Sequence, residues 1–260
     1  MASSLRIRSF AITDVGMRRK NNEDAFLRDD HLNLYVVADG MGGYAAGDVA
    51  SAEAIDTLHG MVSRNRHQIE TFVSEPTRES ARQLKRLLES AVQSACYMIF
   101  GLAEMAPERQ GMGTTISALL LAGEYGATAQ VGDSRVYCVR NDAAIQLTVD
   151  HTLVNWQVRE GIITPEQALT SPHRNVITRA VGNKDFVQVD TQIFQVRDGD
   201  RFLLCSDGLH GYLKDEEIPY ILGFGIEEAS RKFVELACDR GGKDNITAIV
   251  VEAHTKAQPA

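Results

Sequence analysis

Ten residues near the start of the chain, Leu34 to Gly43 (L-Y-V-V-A-D-G-M-G-G), constrain the rest. The apolar run Leu34 to Ala38 predicts a buried strand. It ends on Asp39-Gly40, and Gly42 and Gly43 follow. An apolar strand that carries a carboxylate into a glycine turn fixes a charge at the rim of a cleft. Gly40 allows close backbone approach, so its carbonyl is available as a ligand too. Asp-Gly is also a common turn pair, and taken alone the stretch reads as an ordinary β-turn. Three further carboxylates in comparable settings change that reading.

The chain has 260 residues and a net charge of −8. That length holds a sizeable core as one large domain or two small ones. The negative balance argues against nucleic acid as a main partner, because phosphate backbones call for basic surfaces. It is compatible with an acidic cleft that takes up metal. Cys96, Cys138, Cys205 and Cys238 are far apart in sequence and form no C-x-x-C pair. They read as reduced core residues of a cytoplasmic protein. M-A-S-S-L-R-I-R has no apolar signal-peptide core, and no run is long enough to span a bilayer.

Residues 5–13 alternate as a strand. The loop D-V-G-M-R-R-K-N-N-E-D then brings Glu23 and Asp24 forward, either as a solvated charged loop or as carboxylates placed beside Asp39. A helix is expected from about Ala45 to Met61. Residues 62–80 read as a polar connection. A long amphipathic helix is expected over about 80–105, with Leu84, Leu87, Leu88, Ala91, Val92 and Ala95 on one face. Short strands follow at 114–122, 127–131, 135–140 and 145–148. Their tight loops imply antiparallel pairing. Residues 151–175, with the only tryptophan (Trp156), leave the strand pattern as an excursion or flap. Strands resume at 186–196 and 201–206. Helices are expected at about 215–222 and 227–240, then a last strand from Ile246, then a short polar tail at 254–260. The pattern predicts one α+β domain, antiparallel sheets covered by helices.

Four aspartates share one design. Asp39 ends V-V-A-D-G, Asp133 sits in A-Q-V-G-D-S-R, Asp207 ends F-L-L-C-S-D-G, and Asp244 precedes the last strand in G-G-K-D-N-I-T. Carboxylates without histidine or cysteine companions suit hard cations: magnesium, manganese or calcium. A calcium loop D-x-D-x-D-G, a zinc cluster and a P-loop lysine are all absent from the sequence. In order, R-x-x-N-E-D (Arg19 to Asp24), D-G-M-G-G (39–43), G-D-S-R (132–135), S-D-G (206–208) and G-x-D-N-I-T (242–247) resemble the bacterial branch of the protein phosphatase 2C family. Further matches are G-M-G-T-T at 111–115, V-D-H-T at 149–152 and R-N-V-I-T-R-A-V-G at 174–182. The resemblance covers roughly residues 8–252.

That resemblance implies a β-sandwich of two antiparallel sheets with helices on both outer faces. It implies hydrolysis of phosphoserine and phosphothreonine in proteins, opposite a Ser/Thr kinase, by a monomer. By position, Asp39 bridges two manganese or magnesium ions. Asp207 and Asp244 complete one ion, and Glu23 and the Gly40 carbonyl serve the other. Asp24 orients metal-bound water from behind the ligands. Arg19 grips the phosphate, and Arg18 beside it is solvent-exposed. Asp133, with Asp207, holds a third, weaker ion. The implied chemistry is direct attack on phosphorus by a hydroxide shared between two metals, with no covalent enzyme intermediate, so Cys205 is a strand residue and no nucleophile.

Animal relatives place a histidine, the proposed proton donor, where this chain has Met41. His151 and His210 are candidates by motif proximity, with a structural or substrate-contact role ahead for both, and a metal-bound water is another candidate. His31, His59, His67, His173 and His254 read as surface or packing residues. Two other functions stay open at this point: a catalytically silent phosphoprotein-binding module on the same fold, and a phosphatase dedicated to one regulatory switch protein.

Overall fold

The computed structural model describes residues 5–42 and 46–255. Gly43 of the glycine turn, Ala45 at the expected helix start and the tail beyond Thr255 lie outside them. Strands β1 (Leu5–Asp14), β2 (Asp24–Asp29) and β3 (Leu34–Met41) come first. Helices α1 (Gly47–Arg64), α2 (Arg66–Ser74) and α3 (Arg78–Met105) follow. Then come β4 (Gly113–Thr114), β5 (Ile116–Ala122), β6 (Tyr125–Val131), β7 (Arg135–Arg140) and β8 (Ala143–Gln146). After α4 (Leu153–Arg159) and α5 (Pro165–Leu169) the chain forms β9 (Asp190–Gln195) and β10 (Asp200–Cys205). Short α6 (Asp207–His210), α7 (Glu217–Leu222), α8 (Ile226–Asp239) and β11 (Ile246–Thr255) complete it.

The strands form two antiparallel sheets. One has the order β1-β11-β10-β7-β8; the other runs β2-β3-β5-β6-β9, with β4 attached to β3. β3 shows why the sheets stack. Tyr35 and Val37 point between the sheets, into a layer with Leu119, Val136, Phe202 and Ile249. Leu34, Val36 and Ala38 point the other way, against α1 and α3. Burial on both faces produces the continuous apolar run read from the sequence. On the outer face of the first sheet, α7 and α8 bury Ile218, Phe233 and Ala237 against Leu203, Ala248 and Val250. The result is the four-layer arrangement of helices, two sheets and helices that the resemblance implied.

The α3 stripe is buried as expected, and a reciprocal cap starts the helix two residues early: Thr77 and Ser80 each satisfy the other's backbone N–H. α1 begins at Gly47 and runs on to Arg64. Residues 62–80 are not a bare connection, because they contain α2. That helix buries only Ile69 and Phe72, too few positions to show a helical period in sequence. The strand β11 continues through His254, where a tail was expected. Cys96, Cys138 and Cys205 are buried, whereas Cys238 is only half-buried. No helix among the described residues is long and apolar enough to cross a membrane.

Candidate metal centre

Strand ends position the site. β2 and β3 pair with Asp24 opposite Asp39, so the two carboxylates start from neighbouring backbone positions. The Asp39 main chain is pinned from one side. Its N–H donates to Thr115 Oγ1 at 2.9 Å, and its carbonyl accepts from the Thr115 N–H and the Thr114 hydroxyl, both at 2.9 Å. β1 pairs with β11 out to Asp14 opposite Ile246, which lays the loop after β1 beside Asp244 and Asn245. Asn245 fastens them: its amide donates to the Val15 and Asn21 carbonyls and its oxygen accepts from the Glu23 N–H at 2.9 Å. β10 ends at Cys205, and Asp207 follows at the start of α6.

Gly40 is fixed by crowding. A Cβ there would lie 2.1 Å from the Gly47 carbonyl oxygen and 2.5 Å from that of Glu23, both backbone atoms. Only glycine lets the strand end pass the start of α1 so closely. The Glu23 carboxyl lies at the same place, close to Gly47.

The carboxyl groups act on one another. Burial, then repulsion from Asp24, Asp207, Asp133 and Asp244, pushes the Asp39 carboxyl well above the usual range. Burial, followed by Asp244, raises Asp207, although a hydrogen bond with Asp39 offsets part of the rise. Asp133 is buried and, chiefly through that burial and then through Asp207, is pushed up to about 7. Burial also raises Glu23, against the opposing pull of Arg19. Asp24 accepts from the Ser206 hydroxyl at 2.7 Å and the Thr247 hydroxyl at 2.6 Å, both on Oδ2. Its buried Oδ1 has no protein partner. Burial dominates and raises Asp24 to about 6. Arg19 is the cation at this edge. It donates to Asp244 Oδ2 at 2.8 Å and lies 3.9 Å from Glu23. Arg18 is exposed, as expected.

Among the described residues, no three His, Cys, Asp or Glu side chains converge tightly enough to enclose an ion by themselves. The donors are nonetheless all oxygen, they repel one another, and one buried acceptor faces them unpaired. That set fits a hard divalent cation that keeps several waters, which supply the missing ligands and donors.

The motifs contain the residues that hold this edge in place, Thr114, Thr115, Ser206, Asn245 and Thr247, but sequence reasoning gave them no role. Each acts across more than 70 positions of chain. The two candidate histidines both attend the Asp133 turn. His210 Nε2–H donates to the Asp133 carbonyl at 3.0 Å, and burial, reinforced by Arg135, drops its pKa to about 3. His151 is buried and its ring nitrogens are engaged by Gly132 and Asp190. His59 pairs with Asp29 at 2.8 Å.

The family model for protein phosphatase 2C matches residues 17–249. The chain belongs to the protein phosphatase 2C family. Among known relatives of this family member, the serine/threonine protein phosphatase PstP of Mycobacterium tuberculosis is 37% identical over 250 residues, which are 96% of this chain and 45% of that protein. The chain thus spans about half the length of that relative. The serine/threonine phosphatase stp of Listeria innocua is 36% identical over 245 residues, 92% of this chain and 93% of that protein. The solved catalytic domain of PstP, a complex with two manganese ions, superposes with a TM-score of 0.82 at 36% identity, over 96% of this chain and 100% of that one.

Proposed function

We propose that this chain is a metal-dependent phosphatase of phosphoserine and phosphothreonine in proteins. The observation that carries the reading is the mutual repulsion of Asp39, Asp207, Asp244 and Asp133 at one edge of the sheets, where Arg19 pairs with Asp244. The relatives' names and the two manganese ions of the PstP structure support it. Asp39 would bridge two ions of manganese or magnesium. Asp207 and Asp244 would complete one of them, and Glu23 with the Gly40 carbonyl the other. The unpaired Asp24 Oδ1 would accept from a water in their shell. Asp133 and Asp207 would take a third, looser ion.

Bound, such ions supply Lewis acidity toward phosphoryl oxygens and lower the pKa of water. Arg19 is half-exposed, so its guanidinium can leave Asp244 for a phosphate oxygen and offset charge in the transition state. Met41 has no proton to give, and the His151 and His210 rings are committed to the Asp133 turn. Protonation of the leaving oxygen is therefore assigned to water held at Asp133. The 151–175 excursion would select peptides. One domain over about 8–252, acting as a cytoplasmic monomer opposite a Ser/Thr kinase, completes the reading.

The deciding experiment is chelation. Metal-free protein should hydrolyse neither p-nitrophenyl phosphate nor a phosphothreonine peptide, and manganese or magnesium should restore both. Full turnover with metal content measured as nil would overturn the reading.

A further inference from the structure

Gly132, which precedes Asp133, has φ +98°, and a Cβ there would lie 2.6 Å from Thr115 Cβ. The turn is thereby restricted to glycine, and both its backbone polar groups are claimed. Its carbonyl accepts from the His151 N–H at 2.9 Å and from Gln130 Nε2 at 3.0 Å. Its N–H donates to His151 Nδ1 at 3.2 Å. One residue thus grips both peptide groups that flank Gly132, the second of which leads into Asp133.

The second contact fixes the state of the ring. A backbone amide can only donate, so Nδ1 must carry a lone pair and the proton sits on Nε2. Nε2–H then donates to Asp190 Oδ2 at 3.1 Å; Arg179 Nη1 also lies 3.1 Å from Nε2, a contact in which Nε2 would have to accept, so the assignment rests on the Gly132 N–H and on Asp190. Asp190 is itself held by Arg179, whose Nη1 donates to Oδ1 at 2.7 Å. The other end of His151 is also tied: its carbonyl accepts from the Thr178 N–H at 2.7 Å and the Thr178 hydroxyl at 3.0 Å. Residues 151 and 178 are where the excursion leaves and returns.

We infer that His151 is a positioning residue for Asp133: in its Nε2–H form, set by Asp190 and Arg179, it holds the Gly132 peptide in the one orientation that turns the Asp133 carboxylate into the cleft. The inference deepens the proposed function and rests on its reading of Asp133. The hydrogen bonds of the His151 ring go to Gly132, Asp190 and Arg179 and to none of the proposed ligand atoms, and burial lowers its pKa, which favours the neutral ring.

Asparagine can imitate Nδ1 and glutamine Nε2, so two variants separate the contacts. In metal-free protein, His151→Gln should speed hydrogen exchange at the Gly132 amide about tenfold, the worth of one buried hydrogen bond, while His151→Asn should retain most of the protection. With manganese, His151→Gln should lower kcat on a phosphothreonine peptide about tenfold with little change in KM, and His151→Asn should lose less. In an Asp133→Ala background the same His151→Gln change should add no further loss. In the wild-type protein, nitrogen NMR should show the proton on Nε2. A proton on Nδ1, unchanged Gly132 exchange in His151→Gln, equal damage by both variants, or a loss that persists without Asp133 would each overturn the inference. If Asp133→Ala alone leaves peptide turnover intact, the functional reading of Asp133 fails, and Gly132 exchange and the tautomer still decide the role of His151.

Discussion

Strand β10 begins and ends near an aspartate, and the two environments are opposites. At its start, Asp200 is 1% exposed by side chain and completely answered. Arg140 reaches it with two nitrogens, at 2.8 and 2.6 Å, and the Arg197 N–H adds a third donor at 2.8 Å. Two residues past its end, Asp207 faces Asp39 and Asp244, and the partner it gains is another carboxyl group. A carboxylate buried for stability is matched inside the protein, since an unpaired buried charge is strongly unfavourable. A cluster left unmatched by the chain itself marks a place where charge balance comes from outside.

The largest test of that contrast is Asp39→Asn. It should lower kcat by roughly 10³-fold or more, because the loss falls on both proposed ions. Near-wild-type turnover would remove the bridging role. At the other end, Asp200→Ala should leave kcat per folded molecule unchanged and lower stability by about 2 kcal/mol, since it removes both charge-assisted bonds and leaves Arg140 its bond to the Gln195 carbonyl. Urea unfolding and active-site titration on one preparation check both halves, and a loss of kcat would dissolve the contrast. Asp24→Asn should fall between them in kind, with turnover reduced about tenfold and the fold retained, as expected of a group that orients ligands from behind. Metal content and kcat measured together would show whether only turnover changes.

The smallest effect depends on pH. The folded-state pKa of Asp133, about 7, is raised above the unfolded value near 4, so its contribution to stability is fully present below pH 4 and lost as pH rises through 7. Replacing the group by a neutral isostere removes that loss. Asp133→Asn should therefore raise the Tm of metal-free protein at pH 8, by roughly 2–4 °C, and leave it unchanged at pH 4. An equal shift at both pH values would show that the carboxyl is not the cause.

The legibility of the sequence follows the same division. Asp39, Asp133, Asp207 and Asp244 stood out because each borders an apolar run, Asp244 at its start and the others at its end, and a strand end beside a glycine or polar turn is a local signal. α3 was readable because its buried stripe repeats over 28 residues. α2 was not, having two buried positions in nine. Ser206 and Thr247 were visible as motif residues, but their hold on Asp24, from 182 and 223 positions away, has no local signal. His151 was visible as a motif residue, but its role is set by Gly132, 19 positions earlier, through a backbone contact that no spacing announces.

The ten-residue pairing of β1 with β11 bears on how the protein is made. Arg19 and Glu23 leave the ribosome more than 200 residues ahead of Asp244. The edge that joins them forms only when a loop of more than 200 residues has closed, a slow event whose entropy must be met before its contacts exist. A nascent chain halted before Asp244 carries Asp39, Asp133 and Asp207 but lacks both Asp244 and the strand that brings Arg19 beside it. Activity should consequently appear only once β11 has been made. A chain without that strand would be silent however well its other sheet had folded.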